Sequence, residues 1–253
     1  MLKTVLITGA CGDIGSATAS LFKSEGWFVI GVDKTKREDK CRHHDIFIES
    51  DISETRNIDS IFSVVSDNKI MQLDGLVNCA AIQVAKSIID TTEEDWDYVF
   101  NSNIKSVFNA AKKAYPLMKQ CKGAIVNIGS VHSYATSRNI SAYAASKGAL
   151  LAYTRSLALE FVDDGIRVNC VVPGAVNTNM LTEGLERGND GFTTTKVMLD
   201  NLGLRHPIKR VGEPSEIASL IHFLIDSTKS AFITGQSFII DGGALAQLST
   251  EVY

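Results

Sequence analysis

The 253-residue sequence predicts an α/β protein built on a doubly wound parallel sheet of about seven strands, with helices on both faces. Three observations carry this. Short β-branched runs alternate with segments of helical spacing, and in one sheet that alternation means right-handed crossovers and parallel strands covered on both sides. No internal repeat, low-complexity tract or Pro/Gly/Ser-rich linker divides the chain, so one domain spanning 1–253 is expected. A glycine-rich turn, Thr8-Gly9-Ala10-Cys11-Gly12-Asp13-Ile14-Gly15, stands where the first strand gives way to the first helix.

The elements follow in order. Strands are expected at 3–8, 27–32, 45–49, Gly75–Asn78, Ala124–Ile128, 167–172 and Ser237–Ile240, each a short run rich in Val and Ile. Apolar residues at helical spacing mark helices at 14–24, 58–67, 94–119, 143–161 and Pro214–Ile225. The stretch 177–212, rich in Gly, Asn and Thr, reads as irregular, and an irregular stretch of that length in a compact domain is expected to be a substrate lid. Gly9, Asp33, Asp51, Asn78, Ser130 and Pro173-Gly174 each follow a predicted strand. In open parallel sheets ligands bind beyond the strands' carboxyl ends, so one cleft collects them all.

Composition narrows the class. With 45% hydrophobic and 21% charged residues the chain is an ordinary globule, and no apolar run reaches the length of a membrane span. A net charge of −4 offers no basic excess for nucleic acid or acidic lipid. The five cysteines, Cys11, Cys41, Cys79, Cys121 and Cys170, lack metal-type spacing, so no metal is expected. They fit a reduced, cytoplasmic setting. Met1-Leu2-Lys3-Thr4 runs directly into the first strand, and no signal peptide is expected.

Glycines in the first turn let the backbone approach a pyrophosphate, which the positive end of the following helix attracts. Asp33, closing the second strand, suits the adenosine ribose hydroxyls and repels a 2′-phosphate. A unit charge pair at about 4 Å is worth roughly 1 kcal/mol in water and about 4 at an effective dielectric of 20, so NAD is preferred over NADP by several-fold to a thousand-fold. Lys34, Lys36 and Arg37 oppose that preference or form a solvated turn.

Tyr143 and Lys147 stand four residues apart and share a helix face, so phenol and ammonium point at one spot. Bringing the phenol from about 10 to roughly 7 takes about 4 kcal/mol of preferential phenolate stabilisation, which a cation in a desolvated pocket largely supplies. Taken alone, Ser130 reads as a loop serine, Thr178 as a helix cap and Asn103 as a buried, satisfied asparagine.

Together these residues closely resemble the short-chain dehydrogenase/reductase family in its compact form, over nearly everything from Thr4 to Gly243. The glycine turn, Asp51-Ile52, Asn78-Cys79-Ala80-Ala81, Asn103, Ser130, Tyr143/Lys147, Pro173-Gly174 with Thr178, and Ile240-Asp241-Gly242-Gly243 keep the family's order and spacing. The resemblance implies a Rossmann fold and hydride transfer between a nicotinamide cofactor and a secondary alcohol or carbonyl. It implies that Tyr143 is the general acid/base, that Ser130 bonds the reacting oxygen, that Lys147 binds the nicotinamide ribose and lowers the tyrosine pKa, and that Asn103 interrupts its helix and anchors a relay water. Gly9, Gly12, Asp13, Ile14 and Gly15 would line the pyrophosphate side, with Asp33 on the adenosine ribose and Asp51 and Ile52 on the adenine. Asn78 and Ala80 would adjoin the neighbouring ribose, and Pro173, Gly174, Val176 and Thr178 the carboxamide. A homotetramer is implied, with a dimer second.

The chain departs from the family twice. Asp13 replaces the middle glycine of the usual turn, putting a carboxylate near the pyrophosphate, and Asn-Cys-Ala-Ala stands for the usual Asn-Asn-Ala-Gly. The residues between Ser130 and Tyr143, with Gln83, His132 and Arg138 as candidate substrate contacts, are polar and resemble the family's sugar-oxidising members. A polyhydroxylated, sugar-like alcohol is therefore the leading small-molecule substrate. Three alternatives stand beside it. One is a 3-oxoacyl-thioester reductase using NADPH. Another is an enzyme of apolar alcohols, closed over by Leu181, Phe192, Val197, Met198 and Leu199. The third is a non-catalytic NAD-sensing regulator on the same fold.

Overall fold

The computed structural model describes residues 2–187 and 193–248. Seven strands, β1 (Thr4–Thr8), β2 (Phe28–Asp33), β3 (Ile46–Glu49), β4 (Gly75–Asn78), β5 (Ala124–Ile128), β6 (Arg167–Pro173) and β7 (Ser237–Ile240), form one sheet. Every pair is parallel and the order is β3-β2-β1-β4-β5-β6-β7, so the chain starts in the middle and winds outward in both directions. The predicted strands hold to within a residue. Central β1, β4, β5 and β6 are buried along their length, which is why they read as continuous apolar runs.

Strand alternation sorts the core into two layers. Val5, Ile7, Val29, Val77 and Val126 face helices α1 (Asp13–Ser24) and α9 (Pro214–Ile225), meeting Ala19, Phe22, Ile217, Ile221 and Leu224. Leu6, Ile30, Leu76, Ile125 and Val168 face the opposite way, onto α3 (Thr55–Asp67), α5 (Ser106–Cys121) and α6 (Ser141–Phe161). Phe22, Trp27 and His222 stack edge to face beneath the first layer, with the Phe22 and Trp27 centroids 4.9 Å apart.

Two expectations change. The helix expected over 94–119 is α4 (Glu93–Phe100) and α5 joined by a π-helical turn, Asn101–Lys105, that contains Asn103. Side-chain spacing alone cannot register the one wider turn, because apolar residues continue on both sides of it. The stretch 177–212 is not irregular throughout. It holds α7 (Asn179–Glu186) and α8 (Thr195–Leu204), started by Thr178 and Thr194, whose hydroxyls accept the N–H groups of Leu181 and Val197. Gly, Asn and Thr lower helix propensity over such a window, while Thr at a cap raises it. Residues 188–192 of this stretch, Phe192 among them, lie outside the described residues. The one-turn helices α2 (Glu38–Cys41) and α10 (Ser227–Ser230) are too short to show periodicity. Among the described residues no helix is long and apolar enough to cross a membrane.

Phe22 is fully buried between α1, β2 and α9. Phe22→Ala is expected to lower unfolding free energy by about 3–5 kcal/mol, measured as a fall in denaturant midpoint with unchanged slope.

Candidate active site

Two adjoining clefts open at the carboxyl ends of the strands. One, of about 400 Å³, is lined by Gly9, Gly12, Asp13, Ile14, Gly15, Asp33, Asp51, Ile52 and Ala80. The other, of about 600 Å³, is lined by Gln83, Ser130, His132, Arg138, Tyr143, Lys147, Pro173, Gly174, Val176 and Thr178. They share Ile14, Cys79, Ala81, Thr178 and Met180. Of the residues expected at the site, only Asn78 and Asn103 lie off these walls.

The first cleft is shaped by backbone. Gly9 has φ +65°, and a Cβ there would lie 2.7 Å from the Ala80 backbone; a Cβ on Gly15 would strike the Gly9 carbonyl. Only glycine leaves this floor open, and α1 presents its positive end to it. Asp33 stands at the far wall, where its Oδ2 accepts the Cys11 N–H at 2.8 Å. Asp51 caps its own turn through the N–H and hydroxyl of Ser53. An extended anionic dinucleotide fits these residues, with the glycine floor against a pyrophosphate and Asp33 against a ribose.

The anomalous carboxylate of Asp13 neither turns to solvent nor caps α1. Its Oδ1 meets Lys40 Nζ at 2.8 Å and its Oδ2 accepts the Asn179 N–H at 2.8 Å. Partial burial by itself raises this carboxyl, but the bonds from Lys40 and Asn179 outweigh burial and hold it below the usual range. One side chain thus joins the glycine turn, α2 and the first residue of α7, and its charge is paired before any phosphate arrives.

The second cleft is organised by α6. Tyr143 and Lys147 are both buried on its inner face, with the Lys147 ammonium 5.7 Å from the phenol ring centroid and donating to the Ile128 carbonyl at 2.6 Å. Ser130 follows β5, and its Oγ accepts the His132 N–H at 3.2 Å. His132 lies edge-on to Tyr143, ring centroids 5.9 Å apart, with its Nδ1 3.2 Å from Thr136 Oγ1; burial lowers its pKa.

Titration differs from the sequence argument. Burial pushes the Tyr143 phenol up, against the lowering influence of nearby Ser130, and pushes Lys147 down to about 8. The ammonium points at a main-chain carbonyl and both groups are desolvated, so burial sets the direction of both shifts.

Asn78 is buried beneath the floor, its Nδ2 donating to Asn127 Oδ1 at 2.8 Å, so it supports the cleft rather than lining it. Asn103 does sit at a helix interruption, and its carboxamide ties that turn to Ile82 and to α6. The nitrogen donates to the Ile82 carbonyl and to Ser146 Oγ, and the oxygen accepts the Ile82 N–H. The expectations did not name Met180, Glu183 and Arg187, which line the clefts from α7. Thr178, legible as a cap, was the signal for that helix.

A family model described as enoyl-(acyl carrier protein) reductase matches residues 9–244. A 3-oxoacyl-[acyl-carrier-protein] reductase FabG of Thermotoga maritima is 35% identical over 258 residues, covering 95% of this chain and 97% of the relative. A meso-2,3-butanediol dehydrogenase of Serratia marcescens is 32% identical over 250 residues, covering 96% and 95%. The ligand-free structure of Thermoplasma acidophilum aldohexose dehydrogenase superposes with a TM-score of 0.91 at 29% identity, covering 100% of this chain and 97% of that one.

Lys147 carries a desolvation cost that folding must offset. Its folded pKa of about 8 lies below the unfolded value of 10.5, so the cost is complete below pH 8 and lifts as pH rises towards 10.5. Lys147→Met should raise unfolding free energy at pH 7 by about 1–2 kcal/mol, because about 3 kcal/mol of desolvation is removed while the Ile128 carbonyl loses its donor. Denaturant midpoints should show the gain shrinking as pH is raised from neutral.

Proposed function

Because the chain belongs to the short-chain dehydrogenase/reductase family, a nicotinamide-dinucleotide-dependent oxidoreductase acting on CH–OH groups, we propose that it is an NAD-dependent dehydrogenase of a polyhydroxylated, sugar-like secondary alcohol. The observation that carries the reading is the buried Tyr143 phenol, which lines the second cleft together with Ser130 and Lys147.

Gly9, Gly12, Asp13, Ile14 and Gly15 hold the pyrophosphate side, with Lys40 neutralising Asp13. Asp33, Asp51, Ile52 and Ala80 hold the adenosine side. Pro173, Gly174, Val176 and Thr178 hold the nicotinamide side, and Asn78 steadies the floor below. The bound dinucleotide supplies or takes up the hydride. In oxidation the Tyr143 oxygen accepts the substrate hydroxyl proton, and in reduction it returns one. Ser130 donates to the reacting oxygen, so partial negative charge developing there meets a fixed dipole. Lys147 stabilises the phenolate and bonds the ribose. Asn103 holds α6 in place through Ser146.

Three observations support the finer reading. Asp33 opposes a 2′-phosphate. The second cleft offers polar contacts from Gln83, His132, Ser137, Arg138, Asn139 and Arg187, set among apolar side chains such as Ile140, Met180 and Leu181. The structure of an aldohexose dehydrogenase superposes over the whole chain. A second reading, an NADPH-dependent 3-oxoacyl-thioester reductase, is favoured by Lys34 and Arg37 on the first cleft's wall and by the Thermotoga relative. One cytoplasmic domain with a lid over 177–212, assembled as a homotetramer, completes the proposal. Trp96 on α4, Phe108 on α5 and Leu159 on α6 stand exposed as the pairing surface, and sedimentation at monomer mass would overturn the assembly.

Fluorescence titration should give NADH binding several-fold or more tighter than NADPH, and NAD⁺ reduction should be fastest with an aldose among aldoses, hydroxy acids, cyclic alcohols and 3-hydroxyacyl thioesters. Tighter NADPH binding with turnover only of thioesters would transfer the assignment to the second reading. Tyr143→Phe should lower kcat by about 10²–10⁴ with little change in dinucleotide affinity. A kcat that survives this change would remove Tyr143 from proton transfer.

A further inference from the structure

The glycine turn and α2 bring together two of the five cysteines across the rim of the first cleft. The Sγ atoms of Cys11 and Cys41 stand 3.5 Å apart. Cys11 is buried within the turn and lines the cleft, while Cys41 ends α2 and is half-buried. The other three cysteines lie elsewhere: Cys121 is bonded to the Leu73 carbonyl, Cys170 is buried in β6 and Cys79 follows β4.

We propose that Cys11 and Cys41 form a peroxide-reactive thiol pair whose conversion to a disulfide weakens dinucleotide binding. The proposal stands on contact geometry at the cleft and does not depend on which alcohol is oxidised. A disulfide needs the two sulfurs at about 2.05 Å, a closure of about 1.5 Å from their present contact. The segment that must move is well suited to it, because α2 is a single turn with no buried residue.

The sulfurs divide the work by exposure. Cys41 is the one a hydroperoxide reaches, and its sulfur attacks one peroxide oxygen. The O–O bond breaks, the other oxygen leaves as an alcohol or water carrying the thiol proton, and Cys41 becomes a sulfenic acid. Cys11 sulfur then attacks the Cys41 sulfur. The S–O bond breaks, the hydroxyl leaves as water with the Cys11 proton, and an S–S bond forms. Two thiols are oxidised by two electrons and one hydroperoxide is reduced.

The consequence for binding follows from what each cysteine is attached to. The Cys11 main-chain N–H fixes Asp33 at 2.8 Å, and Lys40, next to Cys41, pairs with Asp13 at 2.8 Å. Drawing the two sulfurs together displaces the anchors of both the ribose-binding and the pyrophosphate-facing carboxylates.

The test uses the full-length protein, first reduced with dithiothreitol and then exposed to excess hydrogen peroxide. Expected are an intact mass lower by two hydrogens, a Cys11–Cys41 cross-linked peptide on digestion, and NADH and NADPH binding about fivefold or more weaker, restored by dithiothreitol. Cys41→Ser should bind dinucleotide like the reduced protein before and after peroxide, and Cys41→Ala serves if the serine variant folds poorly. Oxygen addition at Cys41 without a cross-link, a cross-link between other cysteines, or a Cys11–Cys41 bond that leaves binding unchanged would each overturn the proposal.

Discussion

The catalytic end of this protein depends on how α6 is locked to the sheet. A buried chain of hydrogen bonds runs from Asn78 on β4 to Asn127 on β5 and on to Thr154 on α6, with Asn127 Nδ2 donating to Thr154 Oγ1 at 2.9 Å. About two turns earlier on α6, Ser146 accepts from Asn103 and donates to the Tyr143 carbonyl. Buried polar groups are costly unless paired, so this ladder, in which the Asn78 carboxamide oxygen alone lacks a partner among the described residues, favours one register of α6 on β4 and β5 over its neighbours. Tyr143 and Lys147 owe their common aim to that register. The π-helical turn at Asn101–Lys105 belongs to the same device, since it turns the Asn103 carboxamide inward to close the network on Ile82.

The cofactor end is governed differently. There the backbone itself is the surface, and glycine at 9 and 15 is required because any side chain would fill the floor. Charge is handled locally. Asp13, which by sequence threatened to repel a pyrophosphate, is paired with Lys40 and joined to Asn179, so the departure from the family's glycine becomes a tie between the turn and the helix that borders both clefts. The two clefts meet at Ile14, Cys79, Ala81, Thr178 and Met180, across which the proposed dinucleotide would lie.

Much of this was legible from sequence for reasons that are physical. Strands buried on both faces advertise themselves as apolar runs, and turns that need glycine admit little else. Residues acting at strand ends sit at fixed places in the alternating pattern. Three kinds of feature were not legible. Short helices such as α2, which carries Lys40 and Cys41, have no period to detect. In α7 the cap Thr178 was visible while the helix it starts was hidden by unfavourable residues, and Met180, Glu183 and Arg187 went unnamed with it. Electrostatics depends on burial, which spacing does not report: Tyr143 and Lys147 were placed correctly on one face, yet desolvation moves the phenol's pKa up and the ammonium's down. Asn78 was likewise placed at the right strand end but lies under the floor.

The central claim is that Tyr143 and Lys147 share one dry pocket beside a nicotinamide dinucleotide. The direct measurement is an ultraviolet difference titration of the phenol, comparing wild type with Tyr143→Phe, without dinucleotide and saturated with NAD⁺. The account predicts a Tyr143 phenol titrating above the ordinary tyrosine value in the free protein, and a fall when the positively charged nicotinamide is bound. A phenol that titrates at the ordinary value and does not respond to NAD⁺ would contradict the account, because such a phenol is neither desolvated nor in the cofactor's cleft.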